Sequence, residues 1–105
     1  MAQFGRIDIL VNNVGGSAPG NPVTMTEEVW ETQISHNLTT TFLGCKHVLP
    51  VMREQRSGVI ITISSLAAWE NYPYVAYKAS KAAMIAFTQQ VAIQNAAYGI
   101  RANVI

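Results

Sequence analysis

Val59-Ile60-Ile61-Thr62-Ile63-Ser64-Ser65, followed at a distance by Tyr77-Lys78-Ala79-Ser80-Lys81, is the stretch that decides how this chain folds. The apolar run Val59 to Ile63 is too short for a buried helix and suits a strand covered by its neighbours. It ends in two hydroxyls. Tyr77 and Lys81 lie four residues apart, one helical turn, so a phenol and an ammonium share a helix face. The strand end thus delivers a serine toward a helix that presents Tyr77 and Lys81. A tyrosine with its ordinary pKa of about 10 is a poor acid or base at neutral pH. A lysine cation beside it favours the phenolate, and a serine hydroxyl can hold a carbonyl or alcohol oxygen next to the phenol. The set is suited to moving a proton on and off a substrate oxygen.

Working outward, Ile7 to Val11 reads as a short buried strand that ends in Asn12-Asn13-Val14-Gly15-Gly16, and Ser17 to Pro22 as a loop. Thr24 or Thr26 can cap a helix whose first turn carries Glu27 and Glu28, with a capping box open to Thr24 and Glu27. Its apolar stripe runs Trp30, Ile34, Leu38, Phe42, Cys45, Leu49, Met52. Thr39-Thr40-Thr41 and Pro50 predict a bend, and Ser57-Gly58 the end of the helix. Leu66 to Tyr74 reads as a loop. A second long helix is predicted from Val75 to Ala97, stopped by Gly99, and Arg101 to Ile105 as a third strand. The order β-α-β-α-β implies right-handed crossovers and a parallel sheet. The expected fold is α/β, an incomplete doubly wound Rossmann-like sheet, with residues 1–105 as one partial domain.

Composition narrows the function classes. The chain of 105 residues is 50% hydrophobic and 12% charged, which argues against disorder and for strands buried on both faces. A net charge of +1 with no basic stripe gives no reason to expect nucleic acid or an acidic membrane surface. Cys45 is the only cysteine, so no disulfide forms within the chain and a reducing, cytoplasmic setting is the simplest expectation. No apolar run approaches about 18 residues, and residues 1–6 carry no apolar signal region. His36 and His47 have no partners at metal-ligand spacing, so no metal site is expected.

With these residues in view, the chain resembles the short-chain dehydrogenase/reductase family along nearly its whole length. Asn12-Asn13-Val14-Gly15 is similar to the family's Asn-Asn-Ala-Gly motif, with Val14 in place of Ala. Asn37, Ser65, Tyr77 and Lys81 match its catalytic tetrad, and Gly99 to Val104 resembles the segment entering a later strand. A lone Tyr-x-x-x-Lys arises often by chance; four motifs in order do not. The resemblance implies a hydride transfer between NAD or NADP and a carbonyl or alcohol substrate. Tyr77 would be the acid/base. Lys81 would lower its pKa and bind the nicotinamide ribose. Ser65, the second of its pair, would orient the substrate oxygen, and Asn37 would hold a water in a proton relay. Asn13, Val14 and Gly15 would line the cofactor's adenosine-side ribose, and a homodimer or homotetramer is implied. The family's Thr-Gly-x-x-x-Gly-x-Gly phosphate turn is absent, so the chain resembles the central part of a longer member.

Blander readings stand beside these. Ser64 and Ser65 could merely turn the chain, Tyr77 could pack with a wet hydroxyl, and Lys78 and Lys81 could be surface lysines. Trp69, Tyr72, Pro73 and Tyr74 could touch substrate or only pack their loop. The chain could also be an inactive remnant that works through subunit or partner contacts, its exposed helices and one unpaired, apolar sheet edge doing the binding.

Overall fold

The computed structural model describes residues 6–13, 20–65 and 74–105. Strand β1 (Ile9–Asn12) is followed by helix α1 (Glu27–Ile34), a π turn (Ser35–Thr39), helix α2 (Thr40–Gln55), strand β2 (Gly58–Thr62), helix α3 (Val75–Asn95), a 3-10 turn (Ala96–Tyr98) and strand β3 (Ile100–Val104). The three strands form one parallel sheet in the order β1-β2-β3, with Ile9 opposite Val59 and Gly58 opposite Ile100. The ladder runs on beyond the strands: Ile63 N donates to Asn12 O at 3.0 Å, and Ser64 N to Ile105 O at 2.9 Å.

Consecutive parallel strands joined by crossovers of one hand place every connecting helix on the same side of the sheet. The core shows this directly. Cys45 and Met52 of α2, Val91 of α3, Ile60 of β2 and Ile100 of β3 form one buried cluster, with Leu10 and Ala102 packed against it. The register puts Ile9, Val11, Val59 and Ile61 on the opposite face, where Ile9 is 59% and Val11 54% exposed. The expectation of strands buried on both faces is therefore corrected: among the described residues the helices cover one face only.

The first helical segment also departs from its predicted pattern. Thr26 is the cap, its hydroxyl accepting from Val29 N at 3.2 Å, rather than Thr24 in a box with Glu27. The apolar stripe is buried in its second half, at Cys45 and Met52 with Leu49 packed beside them, but not in its first. Trp30 and Phe42 are 40% and 45% exposed, whereas the polar Gln33, Asn37 and Thr41 are buried in line with Cys45 and Met52. A strict four-residue row walks about 40° per step round an α-helix. The π turn between Gln33 and Thr41 widens one turn and keeps this polar row facing inward. The distortion falls on residues 35–39 and so meets the predicted bend at Thr39, while Pro50 sits inside α2.

The end of α2 is not made by Ser57-Gly58. Arg56 caps it in the left-handed conformation, φ 61°, with its N–H on Arg53 O at 3.2 Å, and Gly58 already belongs to β2. Gln55 closes the junction: its amide donates to Ile7 O at 2.7 Å and accepts from Ile7 N at 2.9 Å, as a strand would. At the far end of α3, Arg53 donates to the buried Asn95 Oδ1 at 2.7 Å and stacks over Tyr98, 4.6 Å from its ring centre.

Gly99 stops the second helical segment as predicted, at φ 74°, a conformation that L side chains avoid. A Cβ there would lie 2.6 Å from Arg56 O, a backbone atom that cannot swing aside. Gly99→Ala should therefore lower stability by about 2 kcal/mol or more, combining positive φ with overpacking. Urea denaturation of parent and variant measures it; an unchanged midpoint would contradict the contact.

Candidate active site

The carboxyl ends of β1 and β2 lie side by side, and the amino-terminal half of α3 is tied to the β2 end. In an open parallel sheet this edge is where ligands bind. Lys81 is one turn into the helix from Tyr77 and is buried, 5% exposed. Its Nζ donates to Ile63 O at 3.3 Å and stands 5.6 Å from the centre of the Tyr77 ring, within cation–π reach. Burial pulls the Lys81 ammonium below the ordinary lysine value of 10.5. Tyr77 is half-buried on the same helix face.

The serine pair divides its labour. Ser64 Oγ donates to the backbone carbonyl of Lys81 at 3.3 Å, pinning the strand end to α3. Ser65 follows it, half-buried, as the residue that leaves the strand. Below this edge Thr88 Oγ1 donates to Thr62 Oγ1 at 2.9 Å, a second polar tie between α3 and β2.

Asn37 sits in the middle of the π turn, fully buried, where α3 packs against that turn. Its Nδ2 donates to Gln33 O at 2.7 Å, and its own carbonyl accepts from Thr41 Oγ1 at 3.0 Å. Thr40 Oγ1 in turn donates to Ser35 O at 2.9 Å. A π turn displaces carbonyls from their usual helical donors, and these side chains supply replacements. The threonines that read as poor helix residues are used in this way.

Asn12 is buried, with Nδ2 3.8 Å from Cys45 Sγ. Burial pushes the Cys45 thiol up, with the Asn12 amide opposing. A Cβ on Gly44 would meet Asn12 Oδ1 at 3.0 Å, so α2 approaches the strand end closely here. Asn13 is exposed at the end of β1. Val14 and Gly15 of the predicted cofactor segment lie outside the described residues, as do Trp69, Tyr72 and Pro73. The structure thus gathers Lys81, Tyr77 and the Ser64-Ser65 strand end, and packs Asn37 against the same helix. Sequence reading missed two participants, Ile63 O and Gln33. A backbone carbonyl leaves no side-chain signal, and Gln33 lies outside the apolar stripe.

This is a Rossmann-like α/β arrangement with its polar residues at the strand ends. A family model described as short chain dehydrogenase matches residues 1–105, and the chain belongs to that family. It is 41% identical over 109 residues to 2-(R)-hydroxypropyl-CoM dehydrogenase of Xanthobacter autotrophicus, covering all of this chain and 44% of the relative. It is 41% identical over 104 residues to a 3-oxoacyl-(acyl-carrier-protein) reductase of Synechocystis, covering 98% and 42%. A crystal structure assigned as a short-chain dehydrogenase/reductase from Burkholderia xenovorans superposes with a TM-score of 0.94 at 48% identity, over 98% of this chain and 42% of that one. The chain therefore spans less than half the length of these relatives. Among the described residues no helix is long and apolar enough to cross a membrane.

The buried lysine makes stability depend on pH. Its folded value lies below 10.5 and its unfolded value does not. Between the two the unfolded state binds more protons, so stability rises with pH through that window and is lost as pH falls through the folded value. Lys81→Met removes this titration. Relative to the parent, the variant should be most stable at neutral pH and lose that advantage as pH climbs toward 10.5. Denaturation of both proteins at about pH 7 and about pH 10 tests it; a constant difference would contradict it.

Proposed function

We propose that Tyr77, Lys81, Ser65 and Asn37 form the proton-handling centre of an NAD(P)-dependent oxidoreductase that interconverts a carbonyl and an alcohol. The observation that carries this reading is the buried ammonium of Lys81, held by Ile63 O at the strand end and set against the Tyr77 ring. Burying a lysine is costly, and such perturbed groups cluster at functional sites. The relatives' names, one a hydroxypropyl dehydrogenase and one an oxoacyl reductase, support an alcohol/carbonyl pair.

In the reducing direction the Tyr77 hydroxyl gives its proton to the substrate oxygen, which becomes the alcohol. The Lys81 ammonium stabilises the phenolate left behind. Ser65 donates to the same substrate oxygen and offsets the charge that develops on it. The phenol regains its proton through Lys81 and a water held at the Asn37 turn. Oxidation runs the same steps backwards.

The donor set suits a nicotinamide nucleotide. An ammonium has three N–H donors; Lys81 directs one to Ile63 O, and the others suit neighbouring ribose hydroxyls. Asn13, exposed at the end of β1, would line the adenosine side of the cleft. When bound, the nicotinamide ring supplies or accepts the hydride. Phe42 and Leu43 on α2 and Ile93 on α3 are exposed and support a contact between copies in a homodimer or homotetramer.

In the full-length protein Tyr77→Phe should cut turnover by about 10²- to 10⁴-fold while leaving cofactor affinity near the parent's. Lys81→Met should weaken both. Steady-state rates on a panel of ketones, with NADH and NADPH fluorescence titrations, read the two effects. Parent-level turnover by Tyr77→Phe would remove the phenol from the reaction.

A further inference from the structure

Two buried polar atoms among the described residues have no hydrogen-bond partner: Ser80 Oγ and Gln33 Oε1. Ser80 is fully buried and Gln33 is 7% exposed. A serine inside a helix ordinarily donates back to the carbonyl one turn earlier, and Ser80 does not. Both residues belong to facing helices. Gln33 is the buried residue of α1, and α1 and the π turn pack against α3.

The two helical segments run in the same direction, because both return from the carboxyl to the amino edge of a parallel sheet. Their relative register can be read from contacts further along. Phe42 meets Phe87 edge to face, with ring centres 6.4 Å apart, and Arg53 reaches Asn95 at 2.7 Å. These contacts are offset by 45 and 42 residues, and continued toward the amino ends they set Ser80 opposite residues 35–38, two to five residues along from Gln33. On the α3 wheel Ser80 lies 20° from Phe87, at about 100° per residue, so it faces the same neighbouring helix that Phe87 touches.

We infer that Gln33 Oε1 and Ser80 Oγ hold one buried water between α1 and α3, and that the two are positioning residues for Asn37. A water can donate to the amide oxygen and accept from the hydroxyl, which satisfies both atoms. Gln33 also receives the Asn37 side chain on its backbone carbonyl, at 2.7 Å. Fixing the Gln33 side chain against α3 therefore fixes the turn that carries Asn37. This role rests on the proton-relay reading of Asn37 given above; the water site does not.

A crystal structure of the full-length protein at high resolution should show a water within about 3.2 Å of both atoms. A dry contact, or a direct Gln33–Ser80 bond, overturns the inference whatever the activity. In the pH profile of turnover, Ser80→Ala and the near-isosteric Gln33→Met should each move the acid limb by about half a pH unit, a roughly threefold change in the apparent constant. The shift should have the same direction as that of Asn37→Ala. A merely structural role would lower the melting temperature of these variants and leave the limb in place. That outcome, with Asn37→Ala still moving the limb, overturns the positioning role. If Asn37→Ala also leaves the limb unmoved, the relay reading itself fails and takes the positioning role with it.

Discussion

Strand β2 is paired on both sides, and the candidate site hangs from its carboxyl end. β1 fixes it through Asn12 O and Ile63 N, and β3 through Ile105 and Ser64. With its flanks held, the strand presents Ile63 O to Lys81 Nζ and Ser64 Oγ to the Lys81 carbonyl. One residue of α3 is thus gripped at both its backbone and its side chain. The spacing of Tyr77 from Lys81 along the helix then sets where the phenol stands relative to Ser65.

The cost of this arrangement is visible in the same residues. An ammonium removed from water is destabilised, and burial is the cause of the lowered Lys81 value. A buried row of Gln33, Asn37 and Thr41 occupies a position where a helix of ordinary design would bury apolar side chains. Such departures from local preference concentrate where a protein has chemistry to perform. The π turn belongs to the same pattern. It places Asn37 inward, and Thr40 and Thr41 then satisfy carbonyls that the wider turn displaces.

Much of the fold was legible along the chain. The run Val59 to Ile63, the Gly99 stop and the β-α-β-α-β order each rest on local rules, and each has its counterpart in β2, the positive-φ residue after the 3-10 turn and the parallel sheet. The helix apolar stripe misled because apolar spacing reports the face a helix could bury, not the one it does. Trp30 and Phe42 obey the periodicity and stay 40% and 45% exposed, while Cys45 and Met52 further along the same stripe are buried. The left-handed cap at Arg56 was illegible because that conformation ordinarily calls for glycine, and Ser57-Gly58 stood close by as the expected stop.

What the sequence by itself determined is the set of elements, their order and the chemistry available at the strand ends, since these follow from residue type and spacing over a few turns. The tertiary structure alone decided that both helical layers share one face of the sheet, that a π turn rotates Asn37 inward, and that Lys81 is buried on Ile63 O. Each of these is completed by packing between elements far apart in the chain, the π turn against α3. The partner is chosen by packing, and no local pattern of side chains records that choice.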